Sequence, residues 1–224
     1  MYVHFFKRLI DFLLSLLAII VLSPLLLILT IIGAIKMKGN PFFTQERPGK
    51  KEKIFKLIKF RTMTNERGAD GELLPDEKRL IPYGKLLRST SLDEIPELFN
   101  ILIGQMAIIG PRPQLVRDMV FMDQKTRQRH SVRPGLSGLA QVMGRNAISW
   151  EEKFKWDLKY IKKITFLSDL KIVGLTLRKV LGHEESAEEI DVTDDYGDWL
   201  LKNGKVSREE YDRLQLEAKK LLKM

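Results

Sequence analysis

Two adjacent carboxylates, Asp93 and Glu94, are the side chains of this sequence best suited to covalent chemistry. The chain has no cysteine, and its three histidines (His4, His130 and His183) lack the spacing of a metal site or a catalytic triad. We therefore assign the histidines no role. A carboxylate is the available nucleophile for covalent phosphoryl transfer, with Asp93 as the nucleophile and Glu94 as a neighbouring acid or base.

The same residues allow a purely structural interpretation. Ser91 and Glu94, just before the apolar stretch 95–109, have the spacing of a capping box, and acidic side chains favour helix N-termini in any case. Pro96 weakens this interpretation because it removes a backbone donor just inside the predicted helix. A helix N-terminus would also offer backbone N–H groups to a phosphate. The pattern alone leaves both alternatives open.

Six cationic side chains lie in or beside turns that contain proline or glycine: Lys59, Arg61, Arg88, Arg112, Arg133 and Arg145. Each alone is typical of a solvated surface charge. Several together could hold a pyrophosphate, because a planar guanidinium can bind phosphate oxygens in two places. Arg112 stands between Pro111 and Pro113 and is the most constrained of the six. The sequence has no Walker-type phosphate loop and no dinucleotide fingerprint.

An almost wholly apolar segment, residues 9–35, precedes these sites. As one straight helix it would be about 40 Å long, which exceeds the roughly 30 Å hydrocarbon core of a membrane. A spanning helix is the ordinary interpretation, whereas the run is too long for a signal peptide. Pro24 in its middle predicts a kink or a break at the carbonyl of Ile20, and the Ser23 hydroxyl could satisfy backbone groups freed there.

The charges that flank this segment favour a re-entrant hairpin. Lys7 and Arg8 precede it, and Lys36 and Lys38 follow it. Cationic flanks prefer the cytoplasmic side, and only a hairpin that dips into the membrane and returns keeps both flanks there. Proline is also common in spanning helices, so the residues alone leave a kinked span as an equal alternative.

Overall composition indicates a folded, basic protein with anionic partners. Hydrophobic residues make up 44% of the 224 residues, enough for a packed core, and the net charge is +9. Phospholipid headgroups, nucleotides or nucleic acid are the partners that such a charge suits. The absence of cysteine fits a reducing compartment and excludes disulfides and thiol nucleophiles.

Between the apolar segment and the C-terminus we predict short strands and helices. The strands fall at 41–44 and 54–60, and the helices at 80–87, 95–109 in its first part, 114–130, 149–163 and 167–181. Beyond residue 182 we predict an acidic linker and a helical hairpin whose second helix starts with a capping box at 207–210. The hairpin faintly resembles short helical oligomerisation modules found at bacterial chain ends.

Several ordered motifs give this chain a specific resemblance. They are Lys7-Arg8 with Asp11, Ser23-Pro24, the runs 43–49, 59–63 and 88–94, and Gly110-Pro111-Arg112-Pro113, Arg133-Pro134-Gly135 and the run 141–146. Together they cover roughly residues 1–181. With these motifs the chain resembles the monotopic phosphoglycosyl transferases, also called the bacterial sugar transferase family. The likeness is strongest to small members of bacterial N-linked protein glycosylation pathways.

The resemblance implies an α+β, mainly helical fold. It has a re-entrant membrane hairpin over 1–38, in which Lys7, Arg8, Ser23 and Pro24 take part. A small cytosolic catalytic domain over 39–182 would lie on the membrane surface, and 183–224 would be a linker and a helical extension. The expected location is the cytoplasmic face of the bacterial inner membrane. Self-association or downstream glycosyltransferases are the partners we consider for the extension, and nucleic acid is not expected.

The resemblance also implies the reaction. Asp93 would attack the β-phosphate of a UDP-sugar, expected to carry an N-acetylated amino sugar, to give a sugar-phosphoryl aspartate and UMP. Polyprenyl (undecaprenyl) phosphate would then take the sugar phosphate, with Glu94 as the dyad partner. Mg²⁺, held in part by Asp93, would offset the diphosphate charge. Phosphate contacts would come from Arg112, Arg88, Lys59, Arg133 and Arg145. The alternative of another class is a membrane-tethered basic scaffold or binding protein without catalysis.

Overall fold

A computed structural model of the chain describes residues 2–144, 148–182 and 194–223. Most of these residues are helical, and the strands form one antiparallel hairpin and one short parallel pair. The prediction of a mainly helical α+β protein is confirmed at this level. The division into regions 1–38, 39–182 and 183–224 stays a prediction.

The apolar segment forms one long helix. After a π-helical turn over Tyr2–Phe6, α1 runs from Lys7–Lys36 and is long and apolar enough to cross a membrane. Pro24 lies inside α1 without dividing it into two helices, so the predicted break is not seen. The Ser23 hydroxyl donates to the carbonyl of Ile20 at 2.8 Å, which replaces the donor that Pro24 lacks. This local compensation, predicted from the sequence, lets the helix continue.

One stripe of α1 is buried against the rest of the protein along the whole helix. Asp11, Ser15, Leu29 and Gly33 are buried and follow the three-to-four residue spacing of one helix face. The remaining faces are apolar and exposed, with Leu13, Leu17, Ile20, Val21, Leu27, Ile28, Ile31 and Ile35 among the exposed side chains. Both ends of α1 therefore contact the same folded body.

The two predicted strands pair as an antiparallel hairpin. The strands are β1 over Phe42–Pro48 and β2 over Ile54–Phe60, with Phe42 opposite Phe60. Phe55 and Leu57 of β2 point into a core with Leu98, Ile101 and Met106, and this core is covered by Ala18, Ile19 and Leu22 of α1. The hairpin is thus fixed between the apolar helix and the next layer.

Short helices follow the hairpin. They are α2 over Asp76–Arg79, α3 over Pro82–Ser89, a 3-10 turn over Leu92–Glu94 and α4 over Glu97–Leu102. The chain then enters β3, Ala107–Ile109. The prediction that stretch 95–109 begins as a helix is confirmed, although the helix is short.

The predicted single helix over 114–130 is wrong. The structure has α5 over Val116–Met119, α6 over Gln124–Arg127 and a 3-10 turn over Gln128–Ser131. Asp123 starts a new helix, because its carboxylate accepts from the Thr126 amide at 2.7 Å. Strand β4, Gly135–Ser137, then pairs in parallel with β3, and α7 covers Leu139–Met143.

Two longer helices complete the folded body, as predicted. They are α8 over Trp150–Lys162, which starts with a capping box of Ser149 and Glu152, and α9 over Phe166–Gly182. Tyr160 of α8 is buried, and its hydroxyl donates to the carbonyl of Ile109 at 3.1 Å. The helices therefore support the parallel strand pair.

The C-terminal hairpin packs on its own chain. It consists of α10 over Tyr196–Lys202 and α11 over Arg208–Leu221, and Ser207 caps α11 by accepting from the Glu210 amide. Tyr196 and Trp199 pack against a cluster of Met122, Trp150 and Phe154. Most of the acidic linker, residues 183–193, lies outside the described residues.

Candidate active site

A cavity of about 740 Å³ opens between the β-hairpin, α3 and the turn that carries the two carboxylates. Its described lining contains seven basic side chains: Arg47, Lys59, Arg61, Arg79, Lys85, Arg88 and Arg112. The acidic side chains in this described lining are three: Asp76, Asp93 and Glu94. This excess of positive charge suits an anionic ligand of nucleotide size.

The backbone at Ser91 presents the two carboxylates to the cavity. Ser91 adopts a left-handed conformation with φ 55° and makes no side-chain capping bond. Asp93 and Glu94 follow in the 3-10 turn, before α4 begins at Glu97. The capping-box interpretation is therefore wrong, because Glu94 turns to cations from other elements instead of back to Ser91.

Glu94 is held between two cations. Its Oε1 lies 2.7 Å from the Lys59 Nζ of β2 and 2.7 Å from a guanidinium nitrogen of Arg112. Burial opposes ionisation of Glu94, but the charges of Arg112 and Lys59 outweigh burial and hold its pKa well below the usual range. Glu94 is thus an ionised anchor that fixes Lys59 and Arg112 beside Asp93.

Asp93 is the less engaged member of the pair. It lines the cavity and makes no hydrogen bond or ion pair with the described residues. Burial raises its pKa and the negative Glu94 adds to the rise, whereas Lys59, Arg112 and Arg88 oppose it. A carboxylate with unoccupied oxygens next to cations has the properties of a nucleophile for a phosphorus atom.

A third carboxylate, Glu97, belongs to this cluster and was not assigned from the sequence. Its side chain is 3% exposed, and one oxygen lies 3.2 Å from the Lys59 Nζ. Burial raises the pKa of Glu97 to about 7, and the neighbouring Glu94 charge adds to the rise. Lys59 therefore contacts two carboxylates whose pKa values shift in opposite directions, Glu94 downward and Glu97 upward.

Three of the five predicted phosphate-binding residues line the cavity. Lys59, Arg88 and Arg112 line the cavity, and Arg88 Nε donates to the Thr62 hydroxyl at 3.1 Å. Arg133 is not among the lining residues, because its Nε donates to the Gly104 carbonyl at 2.7 Å, beyond the end of α4. Arg145 lies outside the described residues.

Sequence reasoning missed Arg47. Alternation along β1 would have found it, because Phe43, Gln45 and Arg47 occur at every second position and all line the cavity. The Arg47 guanidinium donates to the Pro113 carbonyl at 3.2 Å. Burial, with the nearby charge of Arg112, lowers the pKa of Arg47 to about 10.

The two basic residues at the start of α1, Lys7 and Arg8, anchor the helix to the rest of the folded body. Lys7 Nζ lies 2.6 Å from a carboxylate oxygen of Asp169. The Arg8 guanidinium donates to the carbonyls of Ile101 and Leu102 at 2.6 Å and 2.7 Å, at the end of α4. The start of α4 lies three residues after Glu94, and its end is bonded to Arg8. Helix α4 therefore connects α1 to the candidate site.

Comparison with known proteins decides the family. The sequence model described as bacterial sugar transferase matches residues 2–183. The chain belongs to the bacterial sugar transferase family. The resemblance to phosphoglycosyl transferases is thereby confirmed, and the chain is an enzyme rather than a basic scaffold without catalysis.

Three relatives illustrate the bacterial sugar transferase family. The uncharacterized sugar transferase EpsL of Bacillus subtilis is 44% identical over 84% of this chain and 93% of its own length. A UDP-glucose:undecaprenyl-phosphate glucose-1-phosphate transferase of Klebsiella pneumoniae is 39% identical over 78% of this chain and 40% of its own. An Aeromonas hydrophila protein named UDP-N-acetylgalactosamine-undecaprenyl-phosphate N-acetylgalactosaminephosphotransferase is 36% identical over 79% and 44%. This chain thus spans less than half of the last two.

The carboxylate ligands of the site fit magnesium if substrate phosphates complete its coordination. Among the described residues, no three His, Cys, Asp or Glu side chains come together as a metal cage. Mg²⁺ commonly binds through one or two carboxylates together with substrate phosphates and water. Asp93, with its unoccupied oxygens in the cavity, fits that arrangement.

Proposed function

We propose that this sugar transferase moves a sugar 1-phosphate from a UDP-sugar to polyprenyl (undecaprenyl) phosphate through a covalent intermediate on Asp93. The observation that carries the proposal is the Asp93 carboxylate, free of partners among the described residues, in a cavity lined by an excess of cations. The names of the Klebsiella and Aeromonas relatives, both transferases to undecaprenyl phosphate, support the acceptor.

In the first step an Asp93 oxygen would form a bond to the β-phosphorus of the donor. The bond between that phosphorus and the bridging oxygen breaks, and UMP leaves with the electron pair. In the second step an oxygen of polyprenyl phosphate attacks the same phosphorus and the aspartyl oxygen leaves. The products are a polyprenyl diphosphate sugar and a regenerated carboxylate.

The neighbouring residues would supply the charge for both steps. Lys59 and Arg112, both bonded to Glu94, would bind the phosphates together with Arg88, which also lines the cavity. Asp93 would hold Mg²⁺ together with the donor phosphates, and the ion would neutralise part of the diphosphate charge. Glu94, ionised and paired with Lys59 and Arg112, would keep these two cations close to Asp93.

The position of α1 supports a re-entrant path through one leaflet of the cytoplasmic (inner) membrane. Both ends of the helix contact the catalytic body, through Lys7 and Arg8 at one end and through Leu29 and Gly33 at the other. A helix that crossed the whole membrane would carry one end away from that body. This path would hold the cavity at headgroup level on the cytoplasmic face, where a lipid phosphate is presented.

The donor sugar is expected to be an N-acetylated amino sugar, in line with the resemblance and with the Aeromonas relative, whereas the Klebsiella relative is named for glucose. The test is UMP release by the purified protein with a panel of UDP-sugars and Mg²⁺.

We expect release with at least one donor, and a loss of at least 10³-fold for Asp93→Asn, because an amide is a poor nucleophile. The matched control Asp212→Asn changes an exposed residue of α11 and should keep the wild-type rate. Release that is undiminished in Asp93→Asn would reject the nucleophile, and no release with any donor would reject the reaction.

A further inference from the structure

The segment Pro111-Arg112-Pro113 is held by its carbonyl groups. Its two prolines lack amide hydrogens, so the segment cannot be fixed by an ordinary strand ladder. Instead, three consecutive carbonyls each accept a hydrogen bond from a different element. Pro111 accepts from the Gly135 amide at 3.0 Å and Pro113 from Arg47 at 3.2 Å. The third bond, to the carbonyl of Arg112, is the shortest of the set.

This third bond comes from a buried ion pair. An Arg129 guanidinium nitrogen donates to the Arg112 carbonyl at 2.6 Å. The same guanidinium binds one Asp157 carboxylate oxygen at 2.9 Å and 2.7 Å. The side chains of Arg129 and Asp157 are 1% and 3% exposed, so neither is placed to meet a substrate directly.

Stability alone is a weak explanation for these two buried charges. A buried ion pair is often no more stable than an apolar pair of similar volume, because desolvation costs about as much as the attraction returns. The bond to Arg112 is a feature that an apolar pair could not replace. It connects α8, through Asp157 and Arg129, to the backbone of the residue whose guanidinium lies 2.7 Å from Glu94.

We propose that Arg129, oriented by Asp157, is a positioning residue that fixes the backbone of Arg112 so that its guanidinium meets Glu94 and the donor diphosphate. This inference rests on the proposed function and adds a role for a residue that lines no part of the cavity. Without the bond, the Arg112 side chain would sample a wider region, and its contribution to binding and turnover would fall.

The test separates positioning from folding. The double variant Arg129→Met with Asp157→Leu removes both charges and should melt within a few degrees of the wild type. We expect kcat/KM for the best UDP-sugar in the UMP-release assay to fall at least tenfold all the same. A double variant that keeps the wild-type kcat/KM would overturn the proposal.

A second arm asks whether Arg129 acts through Arg112. Arg112→Gln is compared in the wild type and in the double variant, by kcat/KM and by the Kd of UDP. Non-additive effects are expected only for residues that share one interaction. We expect Arg112→Gln to lower kcat/KM at least tenfold in the wild type but less than about threefold in the double variant. Equal losses in both backgrounds would overturn the proposal.

If the double variant does not fold, the same comparison is made with Arg129→Lys, which keeps the buried charge but not the forked geometry. Here too a smaller effect of Arg112→Gln supports positioning, and an equal effect contradicts it. Failure of the proposed function gives a different pattern, because the wild type itself then releases no UMP while UDP binding still reports on Arg112.

Discussion

At the scale of single residues, the site depends on opposite shifts of two adjacent carboxyl groups. The pKa of Glu94 is held low by Arg112 and Lys59 in spite of burial, whereas burial raises that of Asp93. Neighbouring titratable groups whose environments differ in this way are typical of catalytic pairs with divided roles. These opposite shifts support the proposal that Asp93 forms the covalent bond and Glu94 orients the cations.

Glu97 should make stability depend on pH. Its pKa rises from an ordinary value near 4.5 in the unfolded chain to about 7 in the folded protein, beside Lys59, Glu94 and Arg112. The folded state therefore binds the extra proton between these values, and stability falls as pH rises through this window. The contribution is on the order of 1–3 kcal/mol. Glu97→Gln should reduce the loss of melting temperature between pH 5 and pH 8.

The control for this prediction is Glu209→Gln on the exposed start of α11, which should leave the pH dependence unchanged. Both variants are compared with the wild type in the same detergent, so that only the difference between the two pH values matters. An unchanged pH dependence in Glu97→Gln would mean that Glu97 titrates normally.

The sequence could identify Asp93 and Glu94 but could not decide between catalysis and capping. The contact that excludes capping comes from Lys59, a strand residue 35 positions away, and no local pattern reports it. Glu97 was missed for the same reason, because a glutamate at a helix start is ordinary. A phosphate contact of Arg133 stays a prediction, because a basic residue in a glycine-rich turn suits a phosphate as well as the helix C-terminus that it contacts here.

At the scale of elements, α3 must lie very close to the segment that follows β2. A methyl group added at Gly84 would come within 1.8 Å of the Thr62 carbonyl oxygen. Thr62 lines the cavity and accepts from Arg88, so this packing connects the helix position to the site.

Gly84→Ala should therefore lower the free energy of unfolding by about 1–3 kcal/mol and reduce UMP release, because the helix must move away from Thr62. The matched control is Gly174→Ala in α9, where an added methyl group meets nothing within 4 Å. It should leave stability equal or raise it by up to about 1 kcal/mol. Equal melting temperatures for the two variants would contradict the packing argument.

Elements with a clear local signal were predicted well. The capping residue and amphipathic spacing define α8, and two apolar-rich runs separated by a turn define β1 and β2. The region 114–130 was predicted wrongly, because its alternating charges are typical of a surface helix. In the structure Asp118 is buried and accepts from the Tyr196 amide at 3.0 Å. Part of what holds that segment is thus a contact 78 positions away, which no local pattern reports.

At the scale of the whole molecule, the C-terminal hairpin is an addition to the family body. The family match ends at residue 183, and the described hairpin, 194–223, packs on α5 and α8. Arg117 forms ion pairs with Asp195 and Asp198, and Phe121 contacts the ring of Tyr211. Sequence alone suggested an interaction module, and the structure adds that it binds its own chain.

The membrane path of α1 is testable because the chain has no cysteine. Single cysteines at Val3 and Asn40, in inverted and right-side-out vesicles, are labelled with an impermeant maleimide. A re-entrant helix predicts that both positions label from the same, cytoplasmic side. Pro24→Ala should shift part of the population toward a span, because it restores the backbone donor whose loss favours a bend. Labelling from opposite sides in the wild type would mean that α1 crosses the membrane.

The most direct test of the central claim is the mass of the peptide that contains Asp93 after rapid acid quenching of the enzyme with its UDP-sugar and no acceptor. We predict an added mass equal to the sugar phosphate, located on Asp93, absent in Asp93→Asn and removed when polyprenyl phosphate is supplied. Turnover of donor with no added mass on Asp93, or with the mass on another residue, would contradict the covalent mechanism.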